Sequence, residues 1–230
     1  MRSGYIATPL GGPNQVSNED GRTTGHDSGH RVDWVVFDLG GVVLTETRAL
    51  PELATRLGVP AERFVTAYYQ ARPDYDRTSD RSVYWSAVAA ACRAGRPDEA
   101  LTAELVTLDD EGWSTTDPAT LDLIEDLHTG GTRLAVLSNA PASMGALVRS
   151  RPWAAAFQQV LISGELGLIK PDPAIYAELL RALGAAADRV VFLDDRADNV
   201  QAALACGIRA FRFTDAGQAR SDLAGLGLVV

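Results

Sequence analysis

The sequence predicts an α/β protein: a doubly wound, Rossmann-like parallel sheet with an α-helical cap domain inserted after its first strand. Three observations carry this expectation. VDWVVFD (32–38) is a nearly continuous apolar run, as in a strand buried on both faces of a parallel sheet. From about residue 132 onward, strand-like and helix-like segments alternate, which is the pattern of right-handed crossover units. Between about 45 and 130 there is no convincing strand, and this stretch is much longer than one crossover requires.

The elements follow in order. Residues 1–31 are rich in Gly, Asn, Ser, Asp, Thr and His, lack periodicity, and are expected to form a flexible tail. His26 and His30 are four apart there, a metal-binding spacing only on a helix, which Gly25 and Gly29 oppose. The first strand stops at the glycine turn LGG (39–41). RALPELATRLG (48–58) sets Leu50, Leu53, Ala54 and Leu57 at helical spacing, and PAERFVTAYYQAR (60–72) starts on a proline. SDRSVYWSAVAAACRAG (79–95) opens with Ser79 as cap and closes on Gly95, and PDEALTAELVTL (97–108) is a further helix. Then come strand 132–138, helix 141–149, strand 158–163, helix 172–184, strand 189–195, helix 198–207 and strand 208–213. The helix at 172–184 has Asp172 as cap and ends on Gly184. The expected division is a tail over 1–31, a core from 32–44 and 130–230, and a helical cap over 45–129.

Composition bounds the partners. The chain has 230 residues, 46% hydrophobic and 22% charged, ordinary values for a folded soluble protein. Its formal charge of −9 repels nucleic acid and anionic membranes, so a phosphate site needs local positive charge. Cys92 and Cys206 read as buried thiols of a reducing compartment rather than a disulfide. No apolar run approaches the roughly 18 residues of a membrane helix, and MRSGYIATPL does not read as a secretory signal. A cytoplasmic monomer or homodimer is expected.

Ligands of an open parallel sheet bind beyond the carboxyl ends of its strands. Those ends carry Asp38, Ser138 with Asn139, and Asp194 with Asp195, while Lys170 precedes a helix in GLIKPDP. Each alone has a plain explanation as a cap, a surface lysine or a solvated loop. Together on one rim they suit phosphoryl transfer. A carboxylate can attack phosphorus, splitting one hard displacement into two easier ones. Magnesium, held by carboxylate and carbonyl oxygens, neutralises the dianion. Lys170 adds a fixed cation, and Ser138 with nearby backbone N–H groups can bind the phosphoryl oxygens.

These residues resemble the haloacid dehalogenase-like hydrolase superfamily over about residues 32–214. The matching motifs are VVFDLGGVVL, AVLSNA, the lysine of IKPDPAIY, and VFLDDRADN. A helical insert after the first motif is similar to the cap of that superfamily's first subgroup. The branch most similar holds sugar-1-phosphate phosphatases and the N-terminal phosphatase domain of soluble epoxide hydrolases. The resemblance implies that Asp38 is nucleophile and magnesium ligand, and that Gly40 offers its carbonyl to the metal. It implies that Ser138 and Asn139 hold the phosphoryl group of a small phosphorylated metabolite and that Lys170 bridges it to Asp38. Asp195 would be the main acidic ligand, with Asp194 beside it, direct or through water. Asn199 matches a polar position of the fourth motif without an assigned role.

The sequence departs from the family at Gly40, where most of its phosphatases have a second aspartate as general acid and base. Such a group is worth roughly 10²–10⁴ in rate. The gap admits three readings: esters with good leaving groups, proton transfer by the cap or the substrate, or a slow or inactive phosphate binder. A metal-free 2-haloacid dehalogenase is a further alternative, but the Asp194–Asp195 pair facing Asp38 would then lack a neutralising cation. In the cap, ARPDYDRTSDRSVYW (71–85) offers Arg72, Tyr75, Arg77 and Trp85 as readers of the leaving group. The competing reading makes Tyr84, Trp85 and Val88 cap core at helical spacing.

Overall fold

The computed structural model describes residues 31–228. The expected tail, with His26 and His30, lies outside them apart from Arg31. Strands β1 (Trp34–Phe37), β2 (Arg133–Ser138), β3 (Gln159–Ile162), β4 (Val190–Asp194) and β5 (Arg209–Arg212) form one sheet in the order β3-β2-β1-β4-β5. Every neighbouring pair is parallel. β1 is central and buried at all four residues, which explains its unbroken apolar run. Successive side chains of a strand point to opposite faces. Val35 and Phe37 therefore join one core cluster, and Trp34 and Val36 the other.

Helices cover both faces. α5 (Pro118–Thr129), α6 (Ala142–Arg149) and α10 (Ala216–Ala224) bury Leu123, Leu127, Met144, Val148 and Leu223 against the first face. α8 (Pro173–Leu183) and α9 (Ala197–Ala205) bury Ile175, Tyr176, Leu179 and Ala203 against the second. α7 (Ser163–Leu166) is a single turn after β3. The chain leaves β1 to build β2 and β3 on one side, then returns to add β4 and β5 on the other. This reversal creates a topological switch point beside the carboxyl end of β1, where the sheet opens a crevice for ligands.

Between β1 and β2 stands a helical block: α1 (Leu50–Leu57), α2 (Ala61–Thr78), α3 (Arg81–Ala91) and α4 (Glu99–Gly112). It has its own core, with Phe64, Tyr68, Trp85 and Leu105 fully buried. Tyr84, Trp85 and Val88 lie in that core, as the helical spacing suggested. The two connectors run side by side: Thr45 N–H donates to Thr115 O at 2.9 Å and Asp117 N–H to Val43 O at 3.0 Å.

Three local features differ from the expectation. α2 continues through Pro73 to Thr78, although a proline usually ends a helix. Burial of Tyr75 and an Arg72–Asp76 ion pair at 2.7 Å, spanning the proline, hold the extra turn. Ser79 does not cap α3. It closes α2 in the left-handed region at φ 56, and Asp80 caps α3 by accepting from Val83 N–H at 3.0 Å. α5 falls inside the stretch expected as cap, yet its apolar face packs on the sheet. Cys92 and Cys206 are free thiols.

Candidate active site

Asp38 follows the last residue of β1, at the switch point. Its backbone continues the ladder to β4 through Leu193 O at 2.9 Å. Its Oδ1 accepts from Leu39 N–H at 2.7 Å and faces Lys170 Nζ at 2.9 Å. Lys170 Nζ also donates to Asp194 Oδ2 at 2.7 Å and to Leu137 O at 2.9 Å, so all three of its protons are engaged. The lysine side chain is 0% exposed and the Asp38 side chain 8%. Burial raises the Asp38 carboxyl to about 7, against the lowering pull of Lys170 and with a further push from Asp194. Burial pushes the Lys170 ammonium down, but Asp38 and Asp194 outweigh it and hold the group above its ordinary value.

Asp194 and Asp195 end β4 with different duties. Asp194 is fully buried and accepts from Lys170 Nζ, from Arg196 N–H at 2.9 Å, and from Asn199 Nδ2 at 3.0 Å to each oxygen. Both its oxygens are thereby occupied. Asn199, which the sequence left without a role, positions Asp194; its own Oδ1 is buried without a partner. Asp195 is half-buried, and its carboxyl is raised by burial and by neighbouring Asp194. A Cβ on Gly41 would stand 2.8 Å from Asp195 Oδ2, and Gly41 has φ +74, so space and backbone both demand glycine there. One oxygen each of Asp38, Asp194 and Asp195 lie within 4.8 Å of one another. Three carboxylates against one ammonium leave a net negative centre, and the all-oxygen donor set fits a hard divalent cation.

Ser138 ends β2, the strand paired with β1, and is buried. The loop after it is tied down by serines from other elements. Ala140 N–H donates to Ser163 Oγ at 2.9 Å, and Ala142 N–H to Ser79 Oγ at 2.8 Å. Ser163 Oγ in turn donates to Asp76 O at 2.6 Å, linking the loop to the end of α2. Asn139 does not turn its side chain to a phosphoryl group as expected. Its amide pairs with the Lys170 backbone, donating to the carbonyl and accepting from the N–H, both at 2.9 Å. It therefore places Lys170.

A family model for haloacid dehalogenase-like hydrolases matches residues 32–207. The chain belongs to that family. Phosphatase MT3486 of Mycobacterium tuberculosis (strain CDC 1551 / Oshkosh) is 29% identical over 212 residues, covering 85% of this chain and 95% of its own length. Among solved structures, a family enzyme of Bacteroides thetaiotaomicron in complex with magnesium and inorganic phosphate superposes with TM-score 0.63 at 18% identity. That match covers 84% of this chain and 98% of the other. L-2-haloacid dehalogenase of Xanthobacter autotrophicus with chloropropionic acid covalently bound gives TM-score 0.63 at 21% identity, over 84% of this chain and 83% of the other. At such identities the two structures establish the fold alone.

In this haloacid dehalogenase-like hydrolase, the position of the missing second aspartate faces an aromatic ring. A Cβ on Gly40 would lie 3.5 Å from Cζ3 of Trp113, an ordinary contact. Trp113 Nε1 donates to the Tyr68 hydroxyl at 3.0 Å, and Tyr68 donates to Asp109 Oδ1 at 2.6 Å. Arg72, expected to read the leaving group, is instead the cation of this network. It bonds Asp76 and Asp109 at 2.7 Å and the Tyr68 hydroxyl at 2.6 Å, with its side chain only 12% exposed. Tyr75, expected beside it, is buried and stacks on Tyr84 at 4.3 Å. Arg77 pairs with Asp74 at the surface, and Trp85 is core. For Arg72 the deciding partner is Asp109, 37 residues away, while Arg77 is held by a neighbour on its own helix. Trp113 caps the C-terminal end of α4, just before the connector, where no periodic or motif signal marks it.

Proposed function

We propose that the chain is a magnesium-dependent phosphatase of a small phosphorylated metabolite, working through an aspartyl-phosphate on Asp38. The observation that carries this reading is the buried Asp38–Lys170 pair with Asp194 and Asp195 close enough to share a cation. Asp38, Asp195 and the Gly40 carbonyl would hold magnesium, with Asp194 adding charge; the ion supplies charge neutralisation for a phosphate dianion.

Asp38 attacks phosphorus, the bond to the leaving oxygen breaks, and a mixed anhydride forms on the carboxylate. Water then attacks the same phosphorus, releasing inorganic phosphate and restoring Asp38. Lys170, fixed by Leu137 O and Asp194, pulls against the burial that raises the Asp38 carboxyl and offers positive charge where the transferring group gathers negative charge. Ser138 receives phosphoryl oxygens. The helical block acts as the cap, excluding water and shaping the leaving-group side. Gly40 offers no acid, which favours substrates whose leaving group departs readily unprotonated.

The test is turnover of p-nitrophenyl phosphate by purified protein with and without magnesium. Hydrolysis that needs magnesium and is lost in Asp38→Asn supports the reading. Undiminished hydrolysis in Asp38→Asn, or binding of phosphate without turnover of any ester, overturns it. Chloride release from a 2-haloacid without metal would replace it with dehalogenation.

A further inference from the structure

We propose that Trp113 determines leaving-group specificity: its indole seats a ring-bearing leaving group where most phosphatases of the family place their acid. The inference rests on the phosphatase reading and names the chemical class it acts on: phosphate esters whose leaving group is weakly basic and carries a ring.

Three observations support it. First, the benzo edge of Trp113 is the side chain that a Gly40 Cβ would meet, with Cζ3 at 3.5 Å and Cη2 at 4.0 Å. That edge overhangs the loop two residues beyond the nucleophile. Second, the polar end of the indole is used up inside the block. Nε1 donates to the Tyr68 hydroxyl at 3.0 Å, and Tyr68 is itself held by Asp109 and Arg72 at 2.6 Å. What remains of the indole is apolar: part of it packs on the core of the sheet's first face, its Cζ3–Cη2 edge stands by Gly40, and the residue is only half-buried. Third, Trp113 sits just before the connector that pairs with the nucleophile loop. Leu44 bridges Thr116, and Thr45 N–H donates to Thr115 O at 2.9 Å. The ring is therefore held in register with Asp38 by backbone as well as by its own hydrogen bond.

The chemistry follows from that placement. Neither Gly40 nor Trp113 can give the departing oxygen a proton, so the leaving group must be stable as an anion or find its proton in water. An indole surface favours a leaving group with a flat or C–H-rich ring face over a compact polar one. Aryl and anomeric esters meet both conditions. An acyl phosphate meets only the first.

The experiment measures kcat and KM of the magnesium-loaded full chain on three substrates: p-nitrophenyl phosphate, α-D-glucose 1-phosphate and acetyl phosphate. The expected result for Trp113→Ala is a KM raised roughly tenfold on the two ring substrates. Its KM on acetyl phosphate stays within about twofold, and Trp113→Phe recovers much of the loss. Trp113→Leu keeps apolar bulk without an aromatic face and gives the same split should the alanine variant fail to fold. Equal effects on all three substrates mean a packing role and overturn the inference, as does no effect on any. If the wild type turns over none of the three, the phosphatase reading itself fails.

Discussion

Lys170→Met removes the cation buried between the Asp38 and Asp194 carboxylates while keeping the length and apolar stem of the side chain. Lys170 faces Asp38 at 2.9 Å and Asp194 at 2.7 Å, and its side chain is 0% exposed, so neither water nor salt screens these contacts. Breaking a buried pair by deleting one partner costs about 3–5 kcal/mol, because a charge stays buried without compensation. Here two carboxylates lose the same partner, although Asp194 keeps Arg196 N–H and Asn199 as donors. The upper half of that range is therefore expected. For a chain of this size each kcal/mol shifts the melting temperature by about 2–4 °C, which gives a drop of roughly 8–20 °C. The assay is thermal unfolding of metal-free protein at pH 7.5, with kcat measured after magnesium is restored. The rate should fall roughly 10²–10³-fold, as for loss of a preorganised electrostatic contact. A melting temperature within about 2 °C of the wild type would refute the claim that Lys170 neutralises a buried acidic centre.

Two other perturbations test the neighbouring groups. Asp110, which accepts from Ser143 Oγ at 3.1 Å, is raised by burial to about 6 from an ordinary 3.8. The folded state thus holds that proton more tightly than the unfolded chain. The stability it contributes is complete below 3.8 and is lost as pH rises through about 6. Asp110→Asn, permanently neutral, should therefore gain melting temperature relative to the wild type between pH 4.5 and 7.5, and a gap that stays constant across that range would contradict this. Gly40→Asp should fold, since its Cβ meets Trp113 at an ordinary 3.5 Å and its φ is not in the left-handed region. A general acid there should speed hydrolysis of phenyl phosphate, with its more basic leaving group, at least tenfold more than that of p-nitrophenyl phosphate. Equal effects on the two esters would argue against a missing proton donor.

The strands were legible because parallel-sheet burial writes itself as apolar runs: all four residues of β1 and all five of β4 are buried. Asp38, Ser138 and Asp195 were legible because strand ends on one rim are dictated by topology. Helices α5 and α10 are not among the individual elements the sequence pattern predicts, although Asp117 and Asp215 cap them by accepting from Thr120 and Gln218 N–H. Arg72 and Tyr75 were misassigned because a polar residue in a cap looks the same whether it faces substrate or a buried partner. Asp109, the partner that claims Arg72, lies 37 residues away.

By itself the sequence determined the architecture and the family motifs: a parallel sheet interrupted by a helical block, an aspartate at the end of its first strand, and no acid at Gly40. These depend on local pattern and residue type, which one chain displays in full. Only the tertiary structure decided which groups are already spent. It committed Asn139 to the Lys170 backbone, saturated Asp194 with donors, turned Arg72 inward, and set Trp113 over Gly40. Those outcomes depend on distances between residues far apart in sequence, because a buried polar group takes whatever partner the fold brings within reach.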